Sequence, residues 1–127
     1  MKIAAAISRY LLAVAFIIFG LNGFFNFLPA GHMPALALQY VTVLAASHYT
    51  IPIFAVQLAC GILFLINRYI PLALTLIGPV IVNILLFHIL MFPIGIGGGL
   101  LATICWFILF AKHYQSFAAI FQARPIS

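Results

Sequence analysis

The stretch Tyr69–Phe92, YIPLALTLIGPVIVNILLFHILMF, decides the fold class of this chain. It contains no Lys, Arg, Asp or Glu. As a helix rising about 1.5 Å per residue, it is long enough to cross a hydrocarbon core of about 30 Å. In lipid every backbone polar group needs an internal partner, and the alternation of a membrane β-barrel is absent, so helix is the expected state. Pro71 falls in the first turn, where a missing N–H costs little. Phe92-Pro93 ends the run, and Gly78-Pro79 inside it predicts a kink that frees the carbonyl of Thr75.

Working outward, three more runs share this character: Tyr10–Leu28, Ile51–Ile66 and Ile94–Ala111. The run Ile51–Ile66 is short and borrows a turn from Tyr49-Thr50. Pro29 is placed to end the first span, Pro52 to open the second, and Gly95 to Gly99 to open the fourth. The segment Met33–Ser47 is too polar and too short to cross. Its Met33, Leu36, Ala37, Tyr40, Val41 and Leu44 recur at helical spacing, which predicts a short outer amphipathic helix between the first two spans. With the other connections tight, the expected fold is all-α: a single-domain transmembrane four-helix bundle over residues 1–127, running up-down-up-down. No internal repeat points to an inverted-repeat transporter.

Composition supports the same solvent. With 68% hydrophobic and 4% charged residues, the chain has too little polar surface for a water-soluble domain. It has no Asp and no Glu, which excludes chemistry based on a side-chain carboxylate. Its five basic residues sit at the ends of the runs: Lys2 and Arg9 before the first, Arg68 between the second and third, Lys112 and Arg124 after the fourth. One side of the membrane accommodates all five, so the positive-inside rule predicts cytoplasmic N and C termini. Spread this thinly, they suit lipid headgroups and not nucleic acid. Met1–Arg9 opens as a secretory signal does, but Tyr10–Leu28 exceeds an h-region and Phe27-Leu28-Pro29-Ala30 is a poor cleavage site. An uncleaved first span is expected. Neither end shows a lipidation box, since Lys2 stands where Gly is needed and Arg124-Pro125-Ile126-Ser127 lacks Cys.

Polar groups within the runs are costly unless paired, so they are the candidate functional residues. Counted from the outer ends, Asn22, Gln57 and His88 lie roughly 6–9 Å deep, with Asn26 one turn above Asn22. Asn83, Cys60 and Cys105 form a second layer roughly 13–17 Å down. The inner half is nearly all apolar, so a site would open outward. His88 is the one histidine clearly inside a span and can move a proton near neutral pH. Gln57, Asn22 and Asn83 offer neutral amides, with Asn26, Cys60 and Cys105 in support. The same groups also suit interhelical hydrogen bonds, worth about 0.6 kcal/mol each on average.

His32 and His48 fall in the outer connection and His113 past the last span, all as surface residues. A haem would need two axial ligands, and only His88 with His48 is geometrically conceivable, so haem is disfavoured. No metal site is expected, because no zinc-ligand spacing occurs. Without a CxxC, Cys60 and Cys105 read as small hydrophobes. Phe24, Phe25, Phe27, Phe87, Phe92, Trp106 and Phe107 suit either a flat apolar ligand such as a quinone or simple packing. Ala55/Ala59 and Gly95/Gly99 offer close-packing faces.

Particular motifs carry a resemblance. Phe19-Gly20-Leu21-Asn22-Gly23-Phe24-Phe25 with Phe27-Leu28-Pro29 resembles the first-span signature of DoxX-like membrane proteins. The similarity continues in Gly61–Leu74, GILFLINRYIPLAL, and is most specific in Gly78–His88, GPVIVNILLFH. It covers about three of the four spans. The resemblance implies a four-helix protein of a bacterial or archaeal inner membrane, associated with quinol oxidation and thiosulfate:quinone oxidoreduction. Asn22, Asn83 and His88 match the family pattern, whereas Gln57 stands where a Glu is common. A carboxylate proton relay is therefore not expected.

Three functions follow. In the first, a redox-associated subunit binds a quinone or quinol, with His88 and Gln57 on its ring oxygens and Asn22 and Asn83 behind them. Such a chain would not be an enzyme alone and needs an electron-transferring partner. In the second, a structural or accessory subunit uses its polar residues only to lock the bundle. A small-solute carrier is the third, and it lacks an intramembrane charge to couple with. Expected partners are the lipid bilayer and other membrane subunits or further copies of the chain.

Overall fold

Residues 1–28 and 31–125 are described by a computed structural model. Pro29, expected to end the first span, and Ala30, part of the stretch judged a poor cleavage site, lie outside the described residues, as do Ile126 and Ser127. Six helices follow in order: α1 (Lys2–Phe25), α2 (Ala35–Ala46), α3 (Thr50–Ile66), α4 (Ile70–Leu90), α5 (Ile96–Lys112) and the short α6 (Tyr114–Phe117). Single 3₁₀ turns lie at Pro93–Gly95 and Ala118–Phe121. Among the described residues there is no strand.

Three segments are long and apolar enough to cross a membrane: Lys2–Phe25, Ile70–Leu90 and Pro93–Lys112. With 17 residues, α3 reaches only about 25 Å. It follows α2 at a 90° bend, and the pair forms a fourth unit of comparable apolar length. The connecting turn is made by His48, held at φ 63°.

The helix α1 differs from the expected Tyr10–Leu28 at both ends. It starts at Lys2 because Ile3 to Ser8 are compatible with helix and Ala5 and Ser8 are buried against the bundle. It stops at Phe25 because Asn26 takes a left-handed conformation (φ 51°, ψ 48°), one that Asn tolerates better than most residues. Arg9 therefore sits inside a helix rather than ahead of it. Its Nη1 donates to the carbonyls of Phe64 (2.6 Å) and Leu65 (3.1 Å) in the last turn of α3, where the Phe64 carbonyl also accepts from the Asn67 N–H at 3.3 Å. Its guanidinium also lies 4.3 Å from the centre of the Tyr10 ring.

Neighbouring helices run antiparallel. Against α3, the glycines of α1 meet residues in reversed order, Gly20 on Leu58 and Gly23 on Phe54, with Gly61 on Ile17. Between α4 and α5, Gly99 meets Leu85 while the Trp106 indole N–H donates to the Leu74 carbonyl at 2.9 Å. This alternation gathers Lys2, Arg9, Arg68 and Lys112 at one end of the bundle. Beyond Lys112 the chain folds back, with Phe117 and Phe121 packed on Phe110. Leu12, Phe64, Leu74, Ile77 and Leu109 are fully buried and form the core.

Two expectations are corrected. Ala55 and Ala59 are exposed, so they pack against no other helix; Gly20 and Gly61 perform that role instead. The helix α2 forms, but it is only weakly amphipathic. Met33, Ala37, Val41 and Leu44 are sheltered, whereas Leu36, Leu38 and Val43 are exposed beside Gln39 and Thr42.

Candidate functional site

The bundle encloses a cavity of about 580 Å³. One wall is α1, from Leu11 to Phe19, and the facing wall runs from Gly95, at the end of the 3₁₀ turn, along α5 to Cys105. Phe54 and Gln57 of α3 and Ile84 and His88 of α4 complete it. The ten residues of α5 that follow Gly95 as far as Cys105 span about 15 Å along the axis, so the cavity is a slot parallel to the helices. Leu11, Val14, Phe19 and Leu101 border it and are also exposed, which opens the slot sideways at the α1–α5 seam.

The slot exists because of what α5 lacks. A Cβ placed on Gly98 would meet nothing within 4 Å, so the α5 wall is bare backbone there. One turn above, a Cβ on Gly95 would come within 2.7–2.8 Å of Cδ2 and Nε2 of His88. Glycine at 95 thus makes room for the imidazole.

His88 is oriented by its own helix. Its Nδ1 lies 2.8 Å from the Ile84 carbonyl, which can only accept, so Nδ1 carries the hydrogen. In the neutral ring Nε2 is then the acceptor, on the side of Gly95 and the cavity. Phe92 stacks on the ring (6.0 Å between centroids) and Phe87 meets it edge-on (5.1 Å). Tyr40 of α2 lies against Phe87 at 5.7 Å and ties α2 to this corner.

Gln57 is only 7% exposed, yet its amide makes no side-chain hydrogen bond among the described residues. None of its polar atoms is sealed off without a partner, because it borders the cavity. His88 and Gln57, expected at one depth, are therefore brought to one chamber. Cys105 also borders it, with the buried Ser8 hydroxyl beside its thiol, while Cys60 is in the solid core. Both cysteines are free thiols.

Three asparagines expected with them lie elsewhere. Asn22 Oδ1 accepts from the Leu28 N–H at 2.7 Å, and the Asn26 N–H donates to the Asn22 carbonyl at 2.8 Å. Together they close the end of α1. Asn83 is exposed on the outer face of α4. None of the aromatics singled out from the sequence borders the cavity; Phe16, Phe19 and Phe54 do. The i, i+3 spacing of Phe16 and Phe19 is readable in the sequence, but which helix α1 would face is not.

Trp106 and Phe107 border a second, wholly apolar groove of about 460 Å³ beside Gly78. Its polar atoms are already used, the Trp106 N–H on Leu74 and the Thr103 hydroxyl on the Gly99 carbonyl at 2.8 Å. Among the described residues no three His or Cys side chains lie together as a metal site. No protein-family model, curated protein or solved structure matches this chain. The likeness to DoxX-like proteins thus rests on the quoted motifs.

Proposed function

We propose that this chain is a four-span, DoxX-like protein of a bacterial or archaeal inner membrane, with both termini cytoplasmic. Its role is to hold a quinone or quinol in the slot between α1 and α5 as a small subunit of a membrane redox system. The observation that supports this most is the convergence of His88 and Gln57 on one otherwise apolar cavity. Its volume is in the ordinary range for small-molecule sites, and a few placed polar groups on apolar walls is the usual pattern. A ring with polar oxygens at its edge and an apolar tail fits that division.

The chemistry follows from the tautomer. With Nδ1–H donating to Ile84, neutral Nε2 accepts a hydrogen bond from a quinol hydroxyl and can take up one of the quinol's two protons. The resulting imidazolium donates to a quinone carbonyl from the same atom. The Gln57 amide adds a donor and an acceptor without changing charge. The two electrons and the second proton pass to a redox partner subunit, because no side chain of this sequence carries electrons and Gln57 cannot take up a proton. The sideways opening suits a ligand that arrives from the bilayer.

Protein extracted mildly from its native membrane is expected to contain about one quinone per chain. His88→Ala should lose it while keeping the wild-type helical signal and melting temperature. Wild-type extracts holding only phospholipid would instead favour a purely structural subunit. For the topology, a cysteine probe at His32 should be labelled from outside and one at Arg68 should not; the reverse pattern contradicts the orientation.

A further inference from the structure

Polar side chains along the apolar helices mostly find partners in their own chain. Thr75 donates to the Pro71 carbonyl (2.9 Å), Thr103 to Gly99, Trp106 to Leu74, and Asn22 accepts from Leu28. Within the long apolar helices α1, α3, α4 and α5, two primary amides have no side-chain hydrogen bond among the described residues, Gln57 and Asn83. Gln57 borders the cavity. Asn83 is exposed on α4, on the side opposite the buried Ile70, Leu74, Ile77 and Ile81.

Its depth makes that exposure costly. Asn83 lies seven residues before Leu90, about 10 Å in from the helix end, and an Asn side chain is too short to reach headgroups from there. The surrounding face is apolar, with Leu76, Val82, Leu86 and Leu90 exposed, and hydrocarbon offers the amide no partner.

We propose that this face of α4 is a two-fold interface with a second copy of this chain, centred on an Asn83–Asn83 pair. Copies inserted in the same orientation are related by an axis along the membrane normal, so their α4 helices run parallel and equal residues meet at equal depth. A primary amide is both donor and acceptor, and two of them form a reciprocal pair. A different protein would need its own polar group at that depth, whereas a second copy brings one by symmetry. The inference rests on α4 crossing the membrane and is independent of the quinone reading.

The test uses the full chain in native membranes, with Leu86→Cys as the reporter one turn from Asn83 and Ile62→Cys on exposed α3 as control. Oxidation should link Leu86→Cys into dimers and leave Ile62→Cys monomeric. Adding Asn83→Leu should lower the dimer yield about threefold or more, the scale of one interhelical hydrogen bond. Asn83→Gln, which keeps the amide, should retain most of it. Sodium carbonate extraction and melting temperature check that each variant still inserts and folds. Monomers with Asn83 intact, an unchanged yield in Asn83→Leu, or equal linking at Ile62→Cys would each overturn the interface. Linking to a different protein only would do the same. His88→Ala should leave the dimer unchanged, which separates this proposal from the ligand reading.

Discussion

The helix α1 has two seams, and glycine does opposite things at them. Toward α3, Gly61 brings the backbones together: a Cβ there would lie 2.8 Å from the Ile17 nitrogen. Gly20 makes the reciprocal approach to Leu58, where a Cβ would lie 2.9 Å from its nitrogen. Toward α5, Gly98 faces no atom within 4 Å and leaves the slot. A missing side chain closes a seam when a neighbouring helix can advance into the space. It leaves a cavity when the bundle holds that neighbour back. One seam brings two helices into close contact, and the other leaves a slot between two helices.

The contrast can be broken most forcefully at Gly61. Gly61→Leu is expected to abolish the folded bundle, and Gly61→Ala to cost about 1–3 kcal/mol, because the obstruction is backbone that cannot swing aside. Chemical or thermal melting in detergent measures both. Equal tolerance of Gly61→Ala and Gly98→Ala would erase the distinction between the seams.

At Gly98 the expected loss is of ligand and not of fold. Gly98→Phe should fill the slot, remove the quinone proposed to occupy it and leave the melting temperature within a few degrees of wild type. A smaller effect is expected between α4 and α5. Trp106→Phe deletes the hydrogen bond to Leu74 across the seam, for a loss of about 0.5–2 kcal/mol. A change confined to the melting temperature, with quinone content intact, would place Trp106 outside the ligand's surroundings.

The smallest expected effect concerns His113, just beyond α5. Burial, and then the charge of the adjacent Lys112, hold its imidazole below the usual value of about 6.5. A depressed folded value means that the unfolded chain binds more protons as pH falls through that range. Stability should therefore decline slightly on acidification below about pH 6.5. NMR titration of the ring should show the depression, and Lys112→Gln should reduce it without removing it, since burial is the larger cause.

Much of this was legible in the sequence. Long uncharged runs set α3, α4 and α5 within two residues, whereas α1 starts eight residues before the expected Tyr10 and takes in Arg9; the antiparallel order places the basic residues of the connections at one end. Where α1 ends was not legible, because the left-handed Asn26 competes with an apolar run that continues to Leu28. Nor was the role of α2, whose spacing suggested an amphipathic helix although its outer face is also apolar. For the site, counting depth put Gln57 and His88 level and the structure puts both on one cavity. Depth says nothing about azimuth, and Asn83 shows why that matters: it has a suitable depth but faces outward. Gly95 and Gly98 were visible as a glycine-rich helix start. Their effect depends on a wall that only tertiary packing supplies.

The most direct test of the slot is photo-crosslinking in native membranes with an azido-quinone, followed by peptide mapping. The account predicts labels on Gly95–Cys105 and Leu11–Phe19, abolished by excess unlabelled quinone and by Gly98→Phe. Labels spread over the lipid-facing residues of α3 and α4, unaffected by competitor, would contradict it.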